Sequence, residues 1–299
     1  MNSGRGLLLA HFSVLLFALS GVIAKVVDQS ATVLTCARSL LAAVVLGAVL
    51  YFSQGLPRVS GKNRWVLLLS GLLLALHWIA FYHSIKVSSV SIGVVAVSTF
   101  PVMTAVLEPL IMRRPWSYSL LIAPCFILIG TAILLGFSPE PDDVHGLLWG
   151  FTAALLFVFV HLINKLQVID LDGKSLSFIQ LSIAGLVLLP LGIIGYDAGT
   201  AHHTRDIFLI IFLAVFSTAL AYALFIQSMK TLSASTAAIL TGLEPVYAMI
   251  IAILFLDEDF ELRIVLGALI ILITVVWSSF RSVRSLAAVQ KKLKERIDV

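Results

Sequence analysis

Residues 75–102 read ALHWIAFYHSIKVSSVSIGVVAVSTFPV, and residues 219–246 read ALAYALFIQSMKTLSASTAAILTGLEPV. The two stretches lie 144 positions apart and share nine identities in 28 positions. Apolar composition accounts for some of these identities, but it does not account for the shared spacing Ser-x-Lys-x-x-Ser-x-Ser. A shift of 140 positions likewise aligns residues 6–8 with residues 146–148, both Gly-Leu-Leu. The pattern predicts an internal repeat.

The rest of the chain is as apolar as these two stretches. Of its 299 residues, 60% are hydrophobic and 12% are charged, whereas soluble domains have about 45–50% apolar and about 25% charged residues. So few charges cannot cover the surface of a soluble protein of this size. The composition therefore argues against a soluble enzyme and against a disordered scaffold.

Ten apolar runs have the length that crosses a bilayer core, which is about 20 residues for a helix. Backbone polar groups in lipid must pair within their own segment, and the runs lack the alternating pattern of a transmembrane strand, so each run is predicted to be a helix. The loops between them are too short to hold a soluble domain. The predicted spans are residues 7–27, 33–52, 65–84, 88–112, 117–136, 146–165, 175–197, 206–229, 233–256 and 263–280.

The repeat divides these spans into two sets of five. Because five is odd, the second set enters the membrane from the opposite side, and the two halves form an inverted repeat. We therefore predict an all-α integral membrane fold of ten transmembrane helices, with five-helix repeats at 1–138 and 139–281 and a tail at 282–299. Inverted repeats are typical of secondary transporters, whose substrate site lies near the middle of the membrane between the halves.

Lysine and arginine are divided unevenly between the two sides of the membrane. If the N-terminus is cytoplasmic, fifteen basic residues fall on the inner side and four on the outer side, with Arg38 inside a span. Cytoplasmic loops carry the excess of basic residues, so we expect an inner-membrane protein with both termini in the cytoplasm. The tail is basic and amphipathic, which favours a helix lying on the anionic membrane surface over nucleic-acid binding.

Two short motifs carry a family resemblance. Glu-Pro-Val at 244–246 precedes an apolar helix that ends in Leu-Phe-Leu-Asp-Glu at 254–258, and Glu-Pro-Leu at 108–110 closes the matching part of the first half. Together with Arg38 and the short hairpin at 86–88, these features resemble the EamA domains of the drug/metabolite transporter superfamily over almost the whole chain. The resemblance implies a transporter of small metabolites, commonly an exporter of amino acids or related compounds.

Ionisable groups inside the hydrocarbon are costly and usually face a cavity or a partner. Glu244 lies halfway along the ninth span and is a candidate proton carrier or ligand for a substrate amine; the alternative is a hydrogen bond that holds a helix break at Pro245. Arg38 is a candidate ligand for a carboxylate, or it pairs with helix carbonyls or lipid headgroups. Glu108 is expected to reach water at the end of the fourth span. Pro101 and Pro245 each remove a backbone donor and are expected to break or kink their helices.

Two helix faces, in the third and sixth spans, carry aromatic and polar side chains at helical spacing. These faces belong to opposite halves, and Trp78 aligns with Tyr222 in the eighth span. A pseudo-twofold axis would bring them together around an aromatic-walled central cavity; the alternative is that each histidine forms a hydrogen bond between helices. The candidate substrate-binding residues are His77, Trp78, Phe81, Tyr82, Ser98, Phe157, His161, Asn164, Tyr222 and Glu244.

A site of this composition buries an apolar body and orients it by a few polar contacts. A sugar phosphate or a nucleotide would need a cluster of basic groups, whereas Arg38 is the one basic residue clearly within a span. The sequence therefore favours export of an amino acid or a similar amphiphile by alternating access. We expect a monomer in the lipid bilayer that binds a small-molecule substrate, without a cofactor, a metal or nucleic acid.

The sequence carries no phosphate-binding loop with Lys-Ser/Thr, no His-Glu-x-x-His and no Gly-x-Ser-x-Gly, so we do not expect an enzyme. Two alternatives remain at this level. An integral membrane enzyme that acts on a lipid or isoprenoid substrate would need clustered acidic or histidine ligands at one interface. A passive channel would carry a flux that does not saturate with solute concentration.

Overall fold

The computed structural model describes residues 3–27, 29–59, 61–88, 90–113, 119–196, 204–255 and 261–297, with most side chains up to Phe280. Within these ranges the regular structure is entirely helical. The helices of the first half are α1 (Ser3–Val26), α2 (Ala31–Ser53), α3 (Gly61–Val87), α4 (Val90–Val97), α5 (Phe100–Ile111) and α6 (Ser119–Leu134). Those of the second half are α7 (Val144–Gln167), α8 (Gly173–Ile194), α9 (Thr204–Phe212), α10 (Ala221–Ser228), α11 (Ala234–Thr241), α12 (Glu244–Phe255) and α13 (Leu262–Ile297), with a π-helical segment, Leu213–Leu220, joining α9 to α10.

These helices form ten membrane spans. Seven helical stretches of the described residues have the length and hydropathy of a span, and three shorter apolar helices lie at 4–20, 121–134 and 262–278. Large apolar side chains such as Phe52, Ile194 and Phe208 are exposed on the outside of the bundle, as expected of a surface that faces lipid rather than water. The predicted all-α membrane fold is confirmed.

Two of the spans are discontinuous. The fourth span consists of α4 and α5, separated at residues 98–99, and the ninth consists of α11 and α12, separated at residues 242–243. The two breaks are 144 positions apart, the same offset as the sequence repeat. Each lies just before its proline, Pro101 or Pro245, because proline fits the first turn of a helix, where its missing N–H has no intrahelical acceptor to lose. The prolines therefore open the second half of each broken span.

The packing of the helices follows the inverted repeat. Helix α3 of the first half packs along α7 of the second half, and the equivalent pair, α10 of the second half and α1 of the first, packs in the same way. Helices α2 and α8, which are equivalent to each other, form a second pair, and α6 and α13 form a third. The two halves therefore interlock around α1, α3, α7 and α10. The repeat boundaries at 138 and 281 stay predictions; the backbone of α13 continues as a helix through Ile297.

Candidate functional site

A row of rings crosses the centre of the bundle. The His77 and Phe157 rings are 4.6 Å apart between centroids and nearly parallel. Phe100 lies 4.8 Å from Phe157 and 5.1 Å from His161, and His161 lies 5.5 Å from Phe225. The structure thus brings the predicted faces of α3 and α7 together. Phe100 and Phe225 were not predicted; the alignment of Phe225 with Phe81 in the repeat is the signal that could have identified one of them.

Both histidines in this row also link helices. His77 Nδ1 is 2.8 Å from the Ala153 carbonyl oxygen on α7, and His161 Nε2 is 2.8 Å from the Ala234 carbonyl oxygen on α11. In each case the ring N–H donates, because a carbonyl only accepts. Both side chains are buried. The bonds agree with the alternative of a hydrogen bond between helices, while the rings remain part of the aromatic row.

A closed set of hydrogen bonds, which we call the Gln180 network, joins α3, α7, α8 and α10. Asn164 Nδ2 donates to the Tyr222 hydroxyl at 3.1 Å, and that hydroxyl donates to Gln180 Oε1 at 2.9 Å. Gln180 Nε2 donates to Asn164 Oδ1 at 2.6 Å and to Ser70 Oγ at 2.8 Å. All four side chains are buried, so Asn164 and Tyr222, two of the candidate binding residues, are engaged within this network.

Arg38 is at the centre of a second polar group, the Arg38 cluster. Its Nε donates to Thr218 Oγ1 at 3.1 Å, and its Nη1 donates to Ser20 Oγ at 2.9 Å. The guanidinium carbon lies 5.3 Å from the ring centroid of Trp78, at the distance of a cation–π contact. Arg38 is buried, and its bonds within the described chain are to hydroxyls rather than to helix carbonyls. The side chain therefore points into the bundle.

The Gln180 network and the Arg38 cluster are related by the repeat. The Gln180 network uses the third, sixth, seventh and eighth spans, and the Arg38 cluster uses their equivalents, the eighth, first, second and third. Trp78 aligns with Tyr222 at the offset of 144. Because the second half is inverted, one group lies toward each side of the membrane. They differ in charge, since the Gln180 network is neutral and the Arg38 cluster carries a guanidinium.

Glu244 is the first residue of α12, immediately after the break in the ninth span. It is enclosed by protein, yet its side chain keeps accessible surface, as expected of a group facing an internal space. Within the described residues it has no hydrogen bond or ion pair, although the Arg38 charge acts on it electrostatically. Ser98 lies at the matching break and donates to the Val94 carbonyl at 2.8 Å.

The candidate residues therefore divide into two groups. His77, His161, Asn164 and Tyr222 are buried and hydrogen-bonded to the protein. The other candidates remain partly accessible: Trp78, Phe81, Tyr82, Ser98, Phe157 and Glu244.

Glu108 has a different role from the one expected. Its carboxylate accepts hydrogen bonds from the Ala234 N–H at 3.2 Å, from the Ser235 N–H at 2.7 Å and from the Ser235 hydroxyl. The side chain is buried, so the expectation that it reaches water is wrong. A carboxylate at this position satisfies the free N–H groups of α11 and complements the helix dipole. Lys165 Nζ bonds the Met229 and Leu232 carbonyls at 2.5 and 2.7 Å, so opposite charges hold the two ends of the α10–α11 turn.

Other features of the described residues lie away from this centre. An apolar groove of about 500 Å³ runs between α2 and α8, and one of about 460 Å³ lies between α3 and α8; both open on the outside of the bundle. In the described part of the chain, no three histidine, cysteine, aspartate or glutamate residues are grouped as metal ligands.

Comparison with known proteins agrees with this architecture. A model of the EamA-like transporter family matches residues 4–136 and again residues 144–280. The uncharacterized transporter YxxF of Bacillus subtilis (strain 168) is 23% identical over 87% of this chain and 84% of its own. The uncharacterized inner membrane transporter YicL of Salmonella typhimurium is 27% identical over 95% and 98%. One crystal structure superimposes with a TM-score of 0.81 over 93% of this chain and 99% of its own at 13% identity, which shows a shared fold.

Proposed function

Because the chain belongs to the EamA-like transporter family and is a membrane transporter, we propose that it exports a small amphiphilic metabolite of the amino-acid class by alternating access. The observation that carries this proposal is Glu244, which lies at a helix break in the middle of the ninth span and has no hydrogen bond or ion pair among the described residues. A polar group kept in the bundle centre without a partner is best explained by a ligand that binds there. The partly accessible aromatic side chains of the third and sixth spans would contact the apolar part of such a ligand.

The pseudo-symmetric polar groups support alternating access. The Gln180 network ties four spans together toward one side of the membrane, and the Arg38 cluster ties their equivalents toward the other side. In transporters built from inverted repeats, access alternates by movement of one repeat against the other around a fixed site. Breaking one of these groups while keeping the other would open the central site to one side at a time.

Transport by the purified protein tests the substrate class. We expect proteoliposomes to take up amino acids with a rate that saturates, and to exchange internal for external amino acid. Liposomes without protein are the control for leakage. Saturable uptake of a sugar phosphate or nucleotide sugar without any amino-acid transport would contradict the proposed substrate, and an amino-acid flux proportional to concentration would indicate a channel.

Cells test the direction of transport. Overexpression is expected to raise the tolerance to toxic amino-acid analogues and to increase release of the matching amino acid into the medium. The control is an equal amount of a fold-competent variant that does not transport in proteoliposomes. Lower tolerance with overexpression would indicate import and contradict the export part of the proposal.

The proposed orientation places the N-terminus in the cytoplasm. In a chain in which Cys36 and Cys125 are replaced by alanine, a single cysteine at Glu140 should react with a membrane-impermeant thiol reagent added to spheroplasts. A single cysteine at Arg58 should react only after the membrane is opened. Both native side chains are exposed on loops, so accessibility does not limit the comparison. The reverse labelling pattern would reject the orientation.

A further inference from the structure

We infer that Arg38 and Glu244 form a recognition pair, in which Arg38 binds the carboxylate and Glu244 binds the ammonium group of a zwitterionic α-amino acid. This inference rests on the proposed function, since it assigns the recognition of the substrate within the same central site. It is carried by two opposite charges inside the bundle, neither of which has an ionic partner in the described chain.

The Arg38 charge is held but not neutralised. Its two hydrogen bonds go to the hydroxyls of Thr218 and Ser20, and its charge lies over the Trp78 ring. These contacts use two of the five N–H donors of a guanidinium and leave the Nη2 edge without a bond in the described structure. A guanidinium binds a carboxylate through two parallel N–H donors. The cluster therefore fixes Arg38 in place and leaves donors for an anionic group.

The equivalent set of spans in the other repeat is held together without a charge. There Gln180, on the seventh span, links four spans through neutral hydrogen bonds. A buried charge costs free energy that a neutral amide avoids. Neutral side chains can therefore join such spans, and the Arg38 charge is available for binding.

Glu244 supplies the opposite charge. It lies at the break of the ninth span, within the electrostatic range of Arg38, but the two side chains do not form an ion pair. A ligand that carries one charge of each sign on neighbouring atoms would place one charge against each group. An α-amino acid satisfies both groups at once, whereas a simple amine or a simple acid leaves one buried charge unpaired, which weakens binding.

The side chain of the amino acid would contact the accessible aromatic residues. Trp78, Phe81, Tyr82 and Phe157 all retain accessible surface, and Trp78 already touches Arg38. Rings at this position favour a large apolar side chain over a small or charged one. We therefore expect the tightest ligands to be aromatic or branched apolar amino acids.

Binding to the full-length protein in lipid nanodiscs tests the pair. Calorimetry with the twenty standard amino acids identifies the tightest ligand. The titration is then repeated with the amine that lacks the carboxylate of that ligand and with the acid that lacks its amino group. The same three ligands are titrated into Arg38→Gln, Glu244→Gln and the control Lys174→Gln, whose charge lies at the partly exposed end of α8.

We expect the wild type to bind each truncated ligand about 10- to 100-fold more weakly than the amino acid, the range for a lost hydrogen bond to a charged group. Arg38→Gln should weaken the amino acid by a similar factor and leave the amine unchanged. Glu244→Gln should weaken the amino acid and leave the deaminated acid unchanged. Lys174→Gln should behave as the wild type with all three ligands.

The possible failures are distinguishable. If no amino acid binds to or is transported by the wild type, the proposed substrate class and this inference both fail. If amino acids are transported but the wild type binds the truncated ligands equally well, this inference alone fails. That comparison needs no variant, so it holds even if a substitution at Arg38 prevents folding. Equal weakening of all three ligands in both variants would assign a merely structural role to the pair.

Discussion

A valine in place of Gly267 is expected to prevent α6 and α13 from packing together and to lower the yield of folded protein strongly. A Cβ at this position would lie 2.5 Å from the Gly130 carbonyl oxygen and 2.6 Å from the Leu134 backbone nitrogen. These are backbone atoms, which cannot turn aside as a side chain does. Overpacking of a tight core costs about 1–3 kcal/mol where side chains can adjust, and a collision with backbone should exceed that range.

Gly61→Ala is the matched control for this prediction. A Cβ at Gly61 would have no heavy atom within 4 Å, so this variant should retain the wild-type yield and melting temperature. The measurement is the fraction of monodisperse protein after detergent extraction, followed by its thermal melting. A Gly267→Val protein that is extracted and melts as the wild type does would show that α6 and α13 are not in close backbone contact.

The replacement of Gln180 by leucine is expected to destabilise the protein by about 2–4 kcal/mol. Leucine has a similar volume, but it removes the acceptor of the Tyr222 hydroxyl and the donor to Asn164 Oδ1. Each buried polar group left unsatisfied costs about 1–3 kcal/mol, although single hydrogen bonds in membrane proteins average only about 0.6 kcal/mol. The estimate is for two such groups in one network.

Reversible unfolding in mixed micelles measures this loss, and Ser182→Ala is the control. Ser182 lies on the same helix but faces the groove between α2 and α8, and its hydroxyl donates to the Phe178 carbonyl of its own helix. The control should change the free energy of unfolding by less than about 1 kcal/mol, because an average hydrogen bond in a membrane protein contributes no more than this. Equal stability of Gln180→Leu and Ser182→Ala would show that the network does not hold the four spans together.

The membrane fold could be predicted from the sequence because its causes are local. Hydrocarbon forces each backbone segment to satisfy its own hydrogen bonds, so every apolar run of sufficient length becomes a helix. The repeat at an offset of 144 was visible in the same way, and the two helix breaks obey it. Each break lies just before its proline; the break before Pro101, for example, begins at Ser98. This position follows from the fit of proline to the first turn of a helix.

The faces of α3 and α7 could be proposed to meet because helical spacing places His77 and Phe157 on definite sides of their helices. The hydrogen-bond partner of each polar side chain could not be predicted in this way. Tyr222 finds its acceptor on Gln180, 42 positions away, and Glu108 finds its donors on Ala234 and Ser235 of another helix.

The sequence by itself therefore determined the membrane spans, their number and their inverted pairing, since apolar length and repetition are properties of consecutive residues. Only the tertiary structure decided which polar groups are already satisfied and which remain available to a ligand. That distinction depends on partners contributed by distant spans, as Arg38 shows: its hydroxyl partners lie 18 and 180 positions away. Glu244 has none among the described residues, because the packing of those residues brings no donor within hydrogen-bonding distance of its carboxylate.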